Sequence, residues 1–530
     1  MATGGVCLCG GVALFCAGAM GKKSRRPRQK SAKQTYRPDP DIVKLVDGLL
    51  KACVEATKRE PPKTPKEQWD DFVEIRKHLD ELEAKQGTEA EDGLDERPAR
   101  SECVAPFRDW LTANGAEVQD VTFEEIPGRG FGVKALKPLE KHELFFSIPY
   151  KLMMTSVCVK ESSLGPLVKN DRLLQSLPSA ALSLYLLAER WNPDSFWRPY
   201  IDMLPKMYTI PLFYSVDEVR MLEGSPVYLE VLNQNRSIAR QYAYLHQMIY
   251  SHPDAKNVVL SQKPFNYVDF KWAVGSVLTR QNSIPIRDGD AGFSIGLISA
   301  WDMCNHANGA ITTDYKEEEK ACKCYAMNDY EAGSEVTMFY GTRTNAEFLL
   351  NQGFVYKGNE HDRMRLKLGV SKNDSLFAMK AEILSRLDIP TSAIFYIYDS
   401  VAAPFTSQLM AFLRVFCMTH DELKAKLQGS EEVVQMLMGP RGIVNFENET
   451  KALDFIQTRC LLLLKQYKTS IEEDNALLAK EETSISSKEI AKLLIGEKTV
   501  LHQAISFVRA QKEALESYYK ARQEDEANSK

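Results

Sequence analysis

The sequence predicts an α+β protein in which a central strand-rich segment lies between helical stretches. Short apolar runs with strand-like alternation surround a glycine-rich turn at residues 128–132. Apolar residues at helical spacing dominate residues 156–276, and they dominate again from about residue 360 onward. With 530 residues, the chain is long enough for two or three domains.

The composition is that of an ordinary globular protein, with 44% hydrophobic and 26% charged residues. A net charge of −5 argues against a general nucleic-acid binder. The eleven cysteines include no CxxC pair, so the sequence predicts no zinc site and reduced thiols of the cytosol or nucleus. Cys322 and Cys324 form a CxC, which we interpret as structural.

The amino-terminal end divides into an apolar and a basic part. Residues 1–19 are small and apolar, and we interpret them as an upstream extension of the translated frame, with a targeting segment as the alternative. They are too short to span a bilayer, and no membrane contact is expected. The arm at 20–63 carries a basic run over 22–37 and is predicted to be disordered. That run suits a nuclear address, an electrostatic arm or a merely solvated tail.

The next segment, 64–117, is predicted to be helical. Thr64 has the chemistry of a helix cap, a proline follows it, and Glu67 stands three residues on. Gly87 ends the periodic pattern, and the polar, acidic residues 88–98 have the composition of a linker.

Three motifs lie in and after the strand-rich segment: Gly128–Gly132, Trp301–His306 and Phe339–Gly341. The residues after Gly132 are a poor helix start, so these glycines do not belong to a nucleotide-binding strand–turn–helix unit. An ordinary hairpin turn remains the alternative for them. His306 has no second metal ligand at helical or turn spacing, and Cys304 has no base nearby that would make it a nucleophile.

The order and separation of these motifs resemble the SET-domain methyltransferases. Further matches narrow the resemblance to the branch that methylates a histidine of actin. It runs from roughly Arg100 to the end of the chain and implies a SET catalytic domain over 118–343, with a large helical insertion over about 156–276. It also implies a carboxy-terminal all-α substrate-binding domain over 344–525, of the kind first named from Rubisco methyltransferases. A purely structural lid is the alternative for this last domain.

The resemblance implies S-adenosylmethionine as the cofactor and assigns residues to its site. The cofactor-binding residues expected from it are Arg100, Arg129, Gly130, Phe131, Arg280, Asp302, Met303, Cys304, Asn305, His306, Gln352, Gly353 and Phe354. The expected substrate-binding residues are Gln281, Trp301, Met338 and Arg343. Tyr340 and Asn282 are expected to be catalytic, because they match a tyrosine of the methyl-transfer channel and the asparagine that faces the substrate imidazole. Met338 lies two residues before Tyr340, so it is expected on the same side of the strand as an apolar wall of the pocket.

The chemistry favours histidine as the methyl acceptor of such a site. Lysine, with a pKa of about 10.4, needs roughly 4.6 kcal/mol to reach its neutral form at pH 7, whereas histidine near 6.5 is already mostly neutral. Alignment in a closed channel then supplies most of the catalysis, and no strong base is needed.

The leading hypothesis is therefore transfer of a methyl group to the tele nitrogen of a histidine in actin. We expect a monomer without a metal, in the cytoplasm and also the nucleus. One alternative is a protein-lysine methyltransferase that contacts histones or chromatin and acts as a transcriptional coactivator. Asn282 argues against it, because lysine-directed relatives generally lack asparagine there. The other alternative is a non-catalytic actin-binding adaptor.

Overall fold

The computed structural model describes the ranges 36–58, 63–87, 97–285, 292–439 and 442–528. The extension at 1–19, most of the basic run at 22–37 and most of the linker at 88–98 lie outside these described ranges.

Within the described ranges, three helices precede the strands: α1 (Pro40–Ala56), α2 (Pro65–Gln86) and α3 (Arg100–Ala113). The predicted cap of α2 is present, since Thr64 and Glu67 exchange side-chain-to-backbone hydrogen bonds in a capping box. Helix α1 lies inside the arm predicted to be disordered, and for residues 40–56 that prediction is wrong. Its apolar stripe is fully buried against α2, which outweighs the polar composition around it.

Ten strands form three small sheets in the middle of the chain. They are β1 (Val121–Ile126), β2 (Gly130–Ala135), β3 (Leu144–Pro149), β4 (Met153–Thr155), β5 (Asn282–Ile284), β6 (Ser294–Ile298), β7 (Asn305–His306), β8 (Thr313–Lys316), β9 (Ala321–Tyr325) and β10 (Glu335–Met338). The sheet orders are β1-β2-β10-β7, β3-β9-β8 and β4-β6-β5. Only the β10–β7 pairing is parallel among these sheets as described, and it brings Asn305 and His306 beside the end of β10.

The residues between β4 and β5 are helical, as predicted. The helices are α4 (Ser156–Glu161), α5 (Gly165–Asn170), α6 (Arg172–Ser176), α7 (Pro178–Trp191), α8 (Arg198–Met203), α9 (Val216–Met221), α10 (Tyr228–Ser251) and α11 (Tyr267–Arg280). Most of them share one hydrophobic core with the strands, in which Leu186, Tyr200 and Trp272 are buried, whereas Val219 of α9 and Val231 of α10 pack in the core of the carboxy-terminal region. Helix α11 ends at Arg280 and so delivers residues 280–282 to the middle of the molecule.

The carboxy-terminal region is built on the helices α12 (Asn345–Gln352), α13 (Phe377–Arg386), α14 (Ser407–Cys417), α15 (His420–Gln428), α16 (Glu431–Gln435), α17 (Phe446–Leu464), α18 (Ile471–Leu478) and α19 (Ile485–Asn528). It is not all-α, however, because β11 (Arg363–Gly369) and β12 (Ser392–Tyr398) pair as an antiparallel ribbon. Alternate residues of β11 are buried, a period-2 pattern that favours a strand. Among the described helices, none has both the length and the apolar character needed to cross a membrane.

Candidate active site

The glycine-rich motif forms a tight hairpin turn between β1 and β2. Ile126 pairs with Gly130, and the Arg129 N–H donates to the Ile126 carbonyl at 2.9 Å. Gly128 and Gly130 have φ values of 74° and 72°, which favour glycine because a Cβ is strained there. A Cβ on Gly132 would lie 2.9 Å from the amide nitrogen of Asn305, so the glycine lets this side chain pack against the hairpin.

A network of charged hydrogen bonds ties the hairpin to β7 and β10. Arg129 donates to Glu335 at 2.6 Å and to the His306 carbonyl at 2.5 Å. The other oxygen of Glu335 accepts from the Asn305 amide at 2.8 Å. These contacts fix the hairpin backbone beside the Asn-His pair, as the spacing of the motifs implies.

His306 is a buried structural residue of this site. Its Nδ1 accepts the Tyr340 N–H at 3.2 Å, which assigns the proton of the neutral ring to Nε2. Burial, with a smaller effect of Arg129, lowers the pKa of His306 to about 4, so the ring is neutral at physiological pH. Within the described ranges, no three His, Cys, Asp or Glu side chains are grouped so that they could bind a metal ion.

Two buried arginines lie on one side of the site. Arg280 donates to the Asp302 carbonyl at 2.6 Å and lies 3.6 Å from its carboxylate, which raises the pKa of Arg280 although burial opposes this. Arg100 donates to the Met203 carbonyl at 2.7 Å and stacks 4.3 Å from the centre of the Phe131 ring. Burial and the charge of Arg280 lower the pKa of Arg100 to about 9. Arg100 and Arg280 thus place two positive charges beside the single carboxylate of Asp302. This arrangement favours the binding of an additional anion between them.

These residues line a cavity of about 770 Å³. All the predicted cofactor-binding residues line it except Cys304. The Cys304 side chain is buried instead, because residues 301–303 form a short 3₁₀ helix after which the thiol points into the core. The thiol therefore does not face the cavity, the carbonyl of Cys304 accepts the Tyr340 hydroxyl at 2.6 Å, and a contact of Cys304 with the cofactor stays a prediction.

The lining of the larger cavity fits S-adenosylmethionine. The surplus positive charge of Arg100 and Arg280 suits the carboxylate of its amino-acid end. The side-chain oxygen of Gln352 is buried and accepts no hydrogen bond within the described chain, so it suits an amino group. The cavity is also wide enough for a ligand of this size.

A second cavity of about 370 Å³ adjoins the first. It is lined by Gln281, Asn282, Trp301 and Arg343, and Tyr340 and Arg280 line both cavities. Met338 is buried and is not among the residues that line either cavity, and its role as a pocket wall stays a prediction. Strand β10 ends at Met338, and the alternation of sides therefore does not continue to Tyr340.

Hydrogen bonds hold the side chains of the smaller cavity in place. The Trp301 indole donates to the Thr313 hydroxyl at 2.9 Å, and the Asn282 amide nitrogen donates to the Arg280 carbonyl at 3.0 Å. The Asn282 oxygen accepts no hydrogen bond among the described residues. Burial raises the pKa of Tyr340, so its phenol stays protonated at neutral pH.

Several lining residues were not foreseen from the sequence. Thr313 and Ile311 belong to the smaller cavity, and Ile311 is 71% exposed at its rim. Glu489 of α19 lines the larger cavity and accepts the Val355 N–H at 2.7 Å. No local signal marks Glu489, because only the folding of the carboxy-terminal region brings it to the cavity. For Thr313, the sequence alternation of β8 could be read, but it did not indicate which face of the strand borders the cavity.

Comparisons with known proteins agree with this geometry. The model of the SET domain matches residues 130–341, and the model described as Rubisco LSMT substrate-binding matches residues 371–501. The actin-histidine N-methyltransferases of Homo sapiens, Mus musculus and Papio anubis are each 41% identical to this chain over 515 residues, which is 96% of this chain and 84% of each relative.

Solved structures show the same fold at lower sequence identity. The crystal structure of the SET domain of LSMT bound to lysine and AdoHcy has a TM-score of 0.64 at 22% identity. The structure of Rubisco LSMT bound to AdoMet has a TM-score of 0.61, also at 22% identity. Each alignment covers 78% of this chain and 93% of the other.

Proposed function

The chain belongs to the SET-domain family of actin-histidine N-methyltransferases, and from this premise we propose that it transfers a methyl group from S-adenosylmethionine to the tele nitrogen of a histidine in actin. The observation that carries the proposal is the position of Tyr340, which lines both cavities. A methyl group passing from a ligand in the larger cavity to an acceptor in the smaller one moves past this residue. The adjoining cavities suit an in-line displacement between two bound molecules.

S-adenosylmethionine supplies, when bound, a methyl group activated by a sulfonium. Arg100 and Arg280 would bind its carboxylate, and the hairpin backbone at Arg129–Phe131 would pack along it. The segment Gln352–Phe354 would bind its adenine end. The contacts of Arg280 with Asp302 and of Arg129 with Glu335 hold these groups before the ligand arrives, so little reorganisation is needed on binding.

Asn282 explains the choice of nitrogen on the acceptor. One of the two N–H groups of its amide donates to the Arg280 carbonyl, an arrangement in which its oxygen can face the substrate. An oxygen accepts the N–H of one imidazole nitrogen and so selects the tautomer in which the other nitrogen has a free lone pair. If the pros N–H faces Asn282, the tele nitrogen is the nucleophile.

Tyr340 orients the acceptor ring and does not ionise. Its hydroxyl donates to the Cys304 carbonyl, and burial raises its pKa, so a phenolate base is not formed at neutral pH. A neutral imidazole does not need one, because its lone pair is available without proton removal. Trp301, fixed by Thr313, supplies an apolar wall that excludes water from the ring.

The test is methyl transfer to purified actin with isotope-labelled S-adenosylmethionine. Mass spectrometry would locate the label, and acid hydrolysis would separate the two methylhistidine isomers. Tele-methylhistidine is the expected product. Methyllysine alone would favour the lysine-directed alternative, and cofactor binding without turnover would favour the adaptor. Core histones in the same assay test a histone contact.

We propose further that the protein acts as a monomer in the cytoplasm, with a nuclear fraction directed by the basic run at 22–37. The composition of that run supports the nuclear part. Microscopy of the full chain and of a variant lacking residues 1–37 would test the location, and light scattering would test the oligomeric state. The deletion is expected to leave turnover nearly intact, since the cavities are formed by residues from Arg100 onward.

A further inference from the structure

The ribbon of β11 and β12 has one buried face and one outward face. Its buried residues, Met364, Leu366, Leu368, Phe395 and Ile397, pack in the core of the carboxy-terminal region. The outward residues pair across the ribbon as Arg363 with Tyr398, Arg365 with Tyr396 and Lys367 with Ile394. Three cations on one strand thus lie opposite two tyrosines and an isoleucine that is 46% exposed. We call these six residues the ribbon face.

The positive charges of the ribbon face are only partly neutralised. Arg365 forms an ion pair with Glu230. Arg363 stacks 4.8 Å from the centre of the Tyr396 ring and donates to the His361 carbonyl, a neutral acceptor. In the described part of the chain, neither Arg363 nor Lys367 lies within ion-pair distance of a carboxylate.

Two nearby acids do not cancel this charge. Asp388 lines the same groove as Lys367 without pairing with it, and Asp399 follows the end of β12. The ribbon face therefore offers solvent-facing cations beside aromatic rings, a composition enriched at protein interfaces.

Two contacts connect the segment before the ribbon face to the smaller cavity. Phe339 lines that cavity, and its ring centre lies 5.3 Å from that of His361. The Asn359 amide donates to the carbonyl of Arg343, another lining residue, at 2.8 Å. The chain then enters β11 at Arg363, and the four residues to Lys367 extend about 13 Å from the cavity edge at strand spacing.

We infer that the ribbon face is a docking surface for an acidic region of the protein substrate, outside the loop that carries the methylated histidine. This inference rests on the proposed function. A cavity of about 370 Å³ encloses little more than one side chain and its neighbours, so most of a folded substrate lies outside it. A row of cations that starts with the partly exposed Arg363 and ends with the exposed Lys367, which is unpaired in the described chain, favours a substrate of complementary charge.

The experiment compares whole actin with a short actin peptide that contains the target histidine. The variants are Lys367→Glu and the double variant Arg363→Glu/Lys367→Glu. The double variant is expected to raise KM for actin by about tenfold and Lys367→Glu by about threefold, with kcat changed by less than about twofold. KM for the peptide should stay within about twofold of the wild-type value, because the peptide does not reach the ribbon face. The double variant Lys424→Glu/Lys480→Glu makes the same charge change at exposed lysines of helix α15 and after α18, and it should change neither KM.

Other outcomes overturn the inference. An unchanged KM for actin in both variants refutes it. If the double variant has a lowered unfolding temperature and loses activity on the peptide as well, Lys367→Glu decides, because its side chain is exposed. Loss of nucleic-acid binding with unchanged KM for actin would assign the surface to a different partner. A wild-type protein inactive on both actin and the peptide would refute the proposed function instead.

Discussion

Replacing Asn282 by alanine tests the account of specificity most directly. The side chain lines the smaller cavity, and its nitrogen donates to the Arg280 carbonyl at 3.0 Å. Alanine would leave the bound substrate N–H without an acceptor, which costs about 1–3 kcal/mol. At 1.36 kcal/mol per tenfold in rate, kcat/KM for actin should fall roughly 5- to 150-fold.

Two further substitutions separate the hydrogen bond from the shape. Asn282→Asp places a carboxylate beside the imidazole, stabilises its protonated form and raises its pKa. Because only the neutral ring accepts the methyl group, the rise of activity with pH should move to higher pH. Asn282→Phe fills the site, should weaken histidine methylation, and is expected to let lysine fit better.

The assay is initial-rate methylation of actin from pH 6 to pH 9, with the product isomers separated after hydrolysis. Asn351→Ala is the matched control, since Asn351 is a partly exposed asparagine whose side chain bonds only within its own helix among the described contacts. The reasoning would be refuted if Asn282→Ala kept kcat/KM within about twofold and still produced only the tele isomer.

The remaining predictions concern residues around the larger cavity. Tyr340→Phe removes the 2.6 Å hydrogen bond to the Cys304 carbonyl, so kcat should fall about 5- to 150-fold. The pH profile of the rate should keep its shape, because the phenol of Tyr340 does not ionise at neutral pH. Rate measurements across pH check both expectations. Glu489→Ala leaves the Val355 N–H without its acceptor, so the cofactor affinity measured by calorimetry should fall several-fold while KM for actin does not change. Glu489→Gln keeps an acceptor and should restore most of the affinity. The pKa of His306 is lowered to about 4 mainly by burial, so the unfolded chain binds more protons between about pH 6.5 and 4, and the free energy of unfolding should fall by up to about 3 kcal/mol as pH drops through that window. Denaturant titrations should show a flatter pH dependence in His306→Asn, and an equal slope would contradict the assignment.

Local features of the fold were accessible from the sequence because they depend on near neighbours. The capping box of Thr64 and Glu67 spans three residues, and the hairpin at Gly128–Gly132 needs only positive φ angles and flanking strands. Helix α1 was missed because a basic and polar composition hid the stripe of Val46, Leu49 and Cys53 that packing against α2 buries.

The ribbon of β11 and β12 was missed for a related reason. Its buried residues alternate with Arg363, Arg365 and Lys367 inside a region whose helices dominate the pattern. The two strands are separated by helix α13, so their pairing is decided by tertiary packing and not by a short turn.

Two of the site predictions depend on the directions of side chains. Met338 was expected to line the pocket because strands alternate, but β10 ends at that residue. Cys304 was expected to contact the cofactor, but the short helix before it turns its thiol inward. In both cases a local change in backbone conformation next to the residue decides which side chain reaches the cavity.

The sequence by itself determined the chemistry available to this protein: an asparagine and a tyrosine suited to a neutral acceptor, arginines suited to a carboxylate, and glycines suited to a tight turn. Only the tertiary structure decided that Arg100 lies close to Arg280 and that Glu489 accepts the Val355 N–H. Residue types and short spacings are local properties of a chain, whereas burial and contacts between distant segments are set when the whole core packs.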